Sequence, residues 1–216
     1  MLRKSTCAAL ALGAALALAA PVAAQQFSAD MMTTTGNGGS GPVRQKVFVS
    51  NGKMRFEGSG GHGVVITDAA AQTAVILMPA QKMYMDAPPA TGRMMPLLMT
   101  LDPNNPCPQF QAMARQWQKD GGEWSCKRLG AEKVGDRNTV KYEAVSPKGE
   151  HHFAWIDPKL RFIVKTEGEQ GRGMELTNIK EAPQPASLFE IPADYQKMDM
   201  SEMMKKMRPG AKPPGG

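Results

Sequence analysis

Short runs of alternating apolar and polar residues, each closed by glycine, asparagine or proline, recur along this chain and restrict it to antiparallel sheet. Val43 to Val49 alternates, Ser50-Asn51-Gly52 carries the residues of a tight hairpin turn, and Lys53 to Glu57 returns. In that return Met54 and Phe56 share one face while three charges occupy the other, the mark of a half-buried strand. The same rhythm marks Phe27 to Thr35, Val64 to Asp68, Thr73 to Met78 and Gln81 to Met85. It resumes from Cys126 through Thr139 to Ala144, Glu150 to Ile156, Leu160 to Glu167 and Met174 to Ile179. From Cys126 onward the spacing predicts a meander, each strand pairing with the next.

Residues 87 to 126 break the pattern. Met94-Met95-Pro96-Leu97-Leu98-Met99 is apolar without alternation, and beyond Pro108 the positions Phe110, Met113, Ala114 and Trp117 recur at helical spacing until Gly121-Gly122. This predicts a small helical insertion. Cys107 and Cys126 flank it, and in an oxidising compartment one disulfide between them is the simplest pairing. Closing a loop of about twenty residues contributes roughly 3 kcal/mol in the chain-entropy view.

The compartment follows from residues 1–24. Arg3 and Lys4 form a positive start, Cys7 to Ala20 an apolar run too short to span a bilayer, and Val22-Ala23-Ala24 a small-residue cleavage site. They predict a signal peptide, release into the periplasm and no stable membrane anchor. The expected division is a sheet domain over 25–198 and a tail over 199–216, in which Ser201 caps a short Met-rich helix before a disordered Gly/Pro end. Without Arg3 and Lys4 the basic residues fall from 26 to 24 against 20 acids. That excess is scattered among acidic residues, which excludes nucleic acid as the expected partner.

Three segments resemble a known family: Val47 to Phe56, Ala154-Trp155-Ile156-Asp157-Pro158-Lys159 with its return to Lys165, and the closing Phe189-Glu190-Ile191-Pro192-Ala193-Asp194-Tyr195. They are similar to exported bacterial proteins of domain-of-unknown-function family 4412, a branch of the LolA-like superfamily of outer-membrane lipoprotein carriers. The resemblance implies an α+β fold: a curved antiparallel sheet forming an incomplete barrel, with a small helical insertion and a short C-terminal helix. It also implies a concave apolar face that takes acyl chains or partner segments. Alternation and size place Met54, Phe56, Val65, Ile76, Met78, Met83, Met85, Tyr142, Phe153, Trp155, Phe162 and Val164 on that face.

No local pattern supplies enzyme chemistry: there is no Gly-x-Ser-x-Gly, no His-Glu-x-x-His and no carboxylate cluster at metal-ligand spacing. His151 and His152 are adjacent, so on a strand their rings point to opposite faces. The chain carries 17 methionines, and Met200, Met203, Met204 and Met207 fall at helical spacing near Met198. Three readings of them stay open: ordinary packing or partner contact, an adaptable hydrophobic pocket, and thioether ligands for Cu(I). The expected function is a non-enzymatic periplasmic binding module without cofactor or resident metal, holding a lipid or other hydrophobic ligand. The alternatives are an envelope protein-protein interaction module and a Met-based copper-binding protein.

Overall fold

The alternating runs become strands in a computed structural model, which describes residues 25–36, 41–59, 63–88, 101–117 and 122–198. The first six are β1 (Gln26–Thr35), β2 (Val43–Ser50), β3 (Lys53–Gly58), β4 (Val64–Asp68), β5 (Thr73–Met78) and β6 (Met83–Asp86). One helix, α1 (Cys107–Trp117), precedes β7 (Ser125–Val134), β8 (Arg137–Val145), β9 (His151–Asp157), β10 (Phe162–Glu167) and β11 (Arg172–Glu181). A two-residue strand, β12 (Gln196–Lys197), follows.

All twelve strands join one sheet in the order β12-β6-β5-β4-β3-β2-β1-β11-β10-β9-β8-β7. Two antiparallel meanders, β1 to β6 and β7 to β11, are therefore fused where the first strand pairs the eleventh. Turn chemistry explains the tight joints. Asn51 and Gly52 both take positive φ between β2 and β3, the backbone that an Asn-Gly pair tolerates best. At the β9–β10 turn, Asp157 Oδ1 accepts from the amides of Lys159 and Leu160 at 2.8 and 3.1 Å. Arg137 Nε donates to its Oδ2 at 2.5 Å.

The α+β class with a helical insertion is overturned. The described residues form a large open sheet, antiparallel apart from the short β12–β6 pair, and α1 is their one α-helix. The physical reason is length: 11 residues give about three turns, too few for a layer that could cover twelve strands. The Cys107–Cys126 disulfide does form, and it ties the start of α1 to β7. The expected C-terminal helix and the signal peptide lie outside the described residues.

A flat sheet with one helix leaves most of both faces wet. Here Phe27, Val49 and Val164 are fully buried in a cluster that gathers residues from β1, β2, β3, β7, β9, β10 and β11, so the sheet curls to cover its own apolar side. A second cluster, Leu101, Tyr142, Ile156 and Ile163, packs against Phe110 of α1. A third buries Val64, Ile66 and Leu77 beneath Phe189, with Leu188 and Tyr195 beside it. This last contact is made by the C-terminal arm, which crosses the sheet from β11 to the β6 edge. Arg55 Nη1 donates to the Leu188 carbonyl at 2.9 Å along the way.

Candidate functional site

Side chains alternate across a strand, so the register decides which residues share a face. In β3 to β6, Phe56 stands opposite Val65, Val65 opposite Ile76, and Ile76 opposite Met85, making one transverse row. A parallel row nearer the β5–β6 turn holds Met78 opposite Met83. A third row, two residues further along the strands, holds Met54, Thr67 and Ala74. All three rows occupy the same face.

Burial grades across them. Met54, Thr67 and Ala74 are buried, whereas Phe56, Val65, Ile76, Met85, Met78 and Met83 are half-buried. Phe56 leans on the main core cluster. Val65, Ile76, Met78, Met83 and Met85 belong to none of the three packed clusters among the described residues. They form an apolar strip at the end of the sheet.

The twelve residues assigned to a ligand face from the sequence therefore separate. These five line the half-buried strip. Met54, Trp155, Phe162 and Val164 are closed into the main cluster, with Phe56 and Phe153 packed against it. Tyr142 belongs to the cluster under α1, and its hydroxyl donates to the Pro103 carbonyl at 3.1 Å. Sequence alternation missed Thr67 and Ala74, because a threonine and an alanine carry little apolar weight. Their β4 and β5 positions, two residues from Val65 and Ile76, were the available signal.

Charge is kept to the rim of the strip. The far side of β6 pairs with β12, where Gln196 N donates to the Lys82 carbonyl at 2.9 Å and Met198 N to the Tyr84 carbonyl at 2.7 Å. Exposed ion pairs flank this seam, Lys82 to Asp194 at 2.8 Å and Lys197 to Asp86 at 2.7 Å. The hydrogen bond from Lys82 holds the Asp194 carboxyl below its ordinary range, and that from Lys197 to Asp86 raises the Lys197 ammonium. Lys53 and Asp68 pair at 2.9 Å, in strand positions that alternate away from Met54 and Thr67.

Two open grooves, of about 360 and 330 Å³, lie away from the strip. One is lined by Ser28, Asp30, Lys46, Phe48 and Lys180, the other by the β10–β11 turn. At the opposite end of the sheet Glu143 bonds His151 Nδ1 and Lys127 Nζ, each at 2.7 Å. The carboxyl is held below its ordinary range by Lys127 first and His151 second. Among the described residues no group of three or more His, Cys, Asp and Glu is placed to hold a metal ion. Met198 is described, whereas the remaining methionines proposed for copper lie outside the described residues.

No family model matches the chain, so the resemblance to family 4412 finds no support there, and no curated protein matches it. Among solved structures the chain is similar to an uncharacterized conserved protein from Thermus thermophilus, at 12% identity and a TM-score of 0.49, over 81% of this chain and 90% of that one. It is also similar to a chain of the MucA/MucB complex of Pseudomonas aeruginosa, at 14% identity and 0.46, over 78% of this chain and 56% of that one. A LolA superfamily protein from Nitrosomonas europaea aligns at 10% identity and 0.31, over 79% of this chain and 91% of that one. All three TM-scores lie at 0.49 or below.

Proposed function

We propose that this protein is a non-enzymatic periplasmic binding module that holds a hydrophobic ligand, an acyl chain or lipid, against the apolar strip of β4 to β6. One observation carries this: Val65, Ile76, Met78, Met83 and Met85 share a face by register, are half-buried, and join none of the packed clusters among the described residues. Water against such a strip is unfavourable by about 25 cal/mol per Å² of apolar surface, which a bound chain recovers. Three of the five are methionines, whose unbranched thioether side chains adapt to irregular apolar ligands.

The test is uptake of a neutral apolar reporter, 1-N-phenylnaphthylamine, followed by its fluorescence. The wild-type protein takes it up, and Ile76→Asp lowers the affinity at least tenfold while circular dichroism stays unchanged. A wild-type protein that neither binds the reporter nor carries lipid in native mass spectrometry is not a hydrophobic binder.

A further inference from the structure

The row that closes the strip contains one polar side chain. Thr67 is 1% exposed, and its hydroxyl has no hydrogen-bond partner among the described residues. It stands between Met54 and Ala74 on the same face as Val65, so it forms the buried end of the surface that runs outward through Val65 and Ile76 to Met78 and Met83. A buried hydroxyl left without a partner costs about 1–3 kcal/mol, and valine fills the same shape without that cost. Valines and isoleucines occupy neighbouring positions of β4, which makes the single hydroxyl the exception in its surroundings.

We infer that Thr67 is a specificity residue, and that the ligand is an amphiphile whose inner end carries one uncharged hydrogen-bonding group, a hydroxyl or a carbonyl. This deepens the proposed function and rests on it. The hydroxyl both donates and accepts, so it pairs with either group. Among the described residues the row presents no charged side chain on this face: Met54, Thr67 and Ala74 are its members, and Lys53 and Asp68 alternate to the other side. A carboxylate brought there loses its hydration with no cation among the described residues of that row to meet it, a far larger penalty than for a neutral group. From Met78 to Ala74 the surface runs about 13 Å along the strand, the length of a chain of about ten carbons.

The experiment is displacement of 1-N-phenylnaphthylamine from the full chain by three competitors of matched length: decan-1-ol, undecane and decanoate. From the wild-type protein decan-1-ol displaces the reporter about fivefold better than undecane, the worth of one hydrogen bond. Decanoate at neutral pH is the weakest of the three. In Thr67→Val the advantage of the alcohol over the alkane disappears while undecane binds as before, and Thr67→Ser restores the advantage. An alcohol-to-alkane ratio that is the same in wild type and Thr67→Val overturns the role of Thr67, even if both proteins bind all three compounds. A wild-type protein that binds neither reporter nor competitors overturns the hydrophobic-ligand reading, and this inference with it.

Discussion

Phe27 and Phe162 meet edge to face with ring centroids 5.3 Å apart, joining the first strand to the tenth across β11. Both are buried in the cluster that spans the two meanders. Phe162→Ala is expected to lower stability by about 3–5 kcal/mol in urea unfolding, and a double-mutant cycle with Phe27→Leu to show about 1 kcal/mol of coupling. Zero coupling would mean that the two rings act independently and that the other side chains of the cluster hold the meanders together.

Cys107 and Cys126 are bonded across 19 positions of sequence. The bridge restricts the unfolded chain and holds α1 where Phe110 packs against the cluster of Leu101, Tyr142, Ile156 and Ile163. Replacing both cysteines by serine is expected to cost about 3 kcal/mol. Reduction of the wild-type protein by a thiol should reproduce that loss, measured as the shift of the urea midpoint.

Arg137 reaches two carboxylates, Asp157 at 2.5 Å and Glu181 at 2.7 Å. The Asp157 side chain is only 3% exposed and also caps the β9–β10 turn, so removing the guanidinium leaves a buried carboxylate short of its partner. Arg137→Ala is expected to destabilise by about 3 kcal/mol, and more than Lys159→Ala, whose side chain is 74% exposed. Equal effects in chemical denaturation would contradict this ranking.

The Glu181 carboxyl is held below its ordinary value of 4.5 by hydrogen bonds from Lys159 first and Arg137 second. Its folded pKa is therefore lower than its unfolded one. The stabilisation is complete above the unfolded value and is lost as pH falls through the folded value. A melting series should show Glu181→Gln below wild type at neutral pH, with the gap closing as the pH drops beneath the carboxylate range. A gap independent of pH would assign the effect to packing.

The β12 seam is held by two backbone bonds and two exposed ion pairs. Exposed pairs are screened by salt, with a Debye length of about 3 Å at 1 M. Amide exchange at Gln196 and Met198 should accelerate between low and high salt, and the β4 amides should not. Uniform acceleration would mean that the salt acts on the whole domain instead.

Much of the strand content was legible because period-two alternation and turn residues are local signals. The Asn51-Gly52 turn and the Asp157-Pro158-Lys159 turn stand where their residues place them. Other features were hidden. β12 is two residues long and exists only because the β6 edge offers its backbone. The contribution of α1 to fold class was overestimated, since helical spacing signals a helix but does not report how much sheet surrounds it.

The candidate face divides along the same line. Alternation and size, with the family resemblance, put Met54, Val65, Ile76, Met78, Met83 and Met85 on the expected ligand face, and their register sets them on one side of β3 to β6, because pleating is a property of each strand. Which of them are sealed depended on tertiary structure: the pairing of β1 with β11 curls the sheet and closes Met54, Trp155, Phe162 and Val164 together. The C-terminal arm covers the other face at Val64, Ile66 and Leu77. Sequence by itself determined most of the strands, their apolar sides and the cysteine pair, all consequences of neighbours along the chain or of composition. Only the tertiary structure decided which apolar side chains meet one another and that Thr67 sits unpaired at the end of the strip, because burial depends on partners that are distant in sequence.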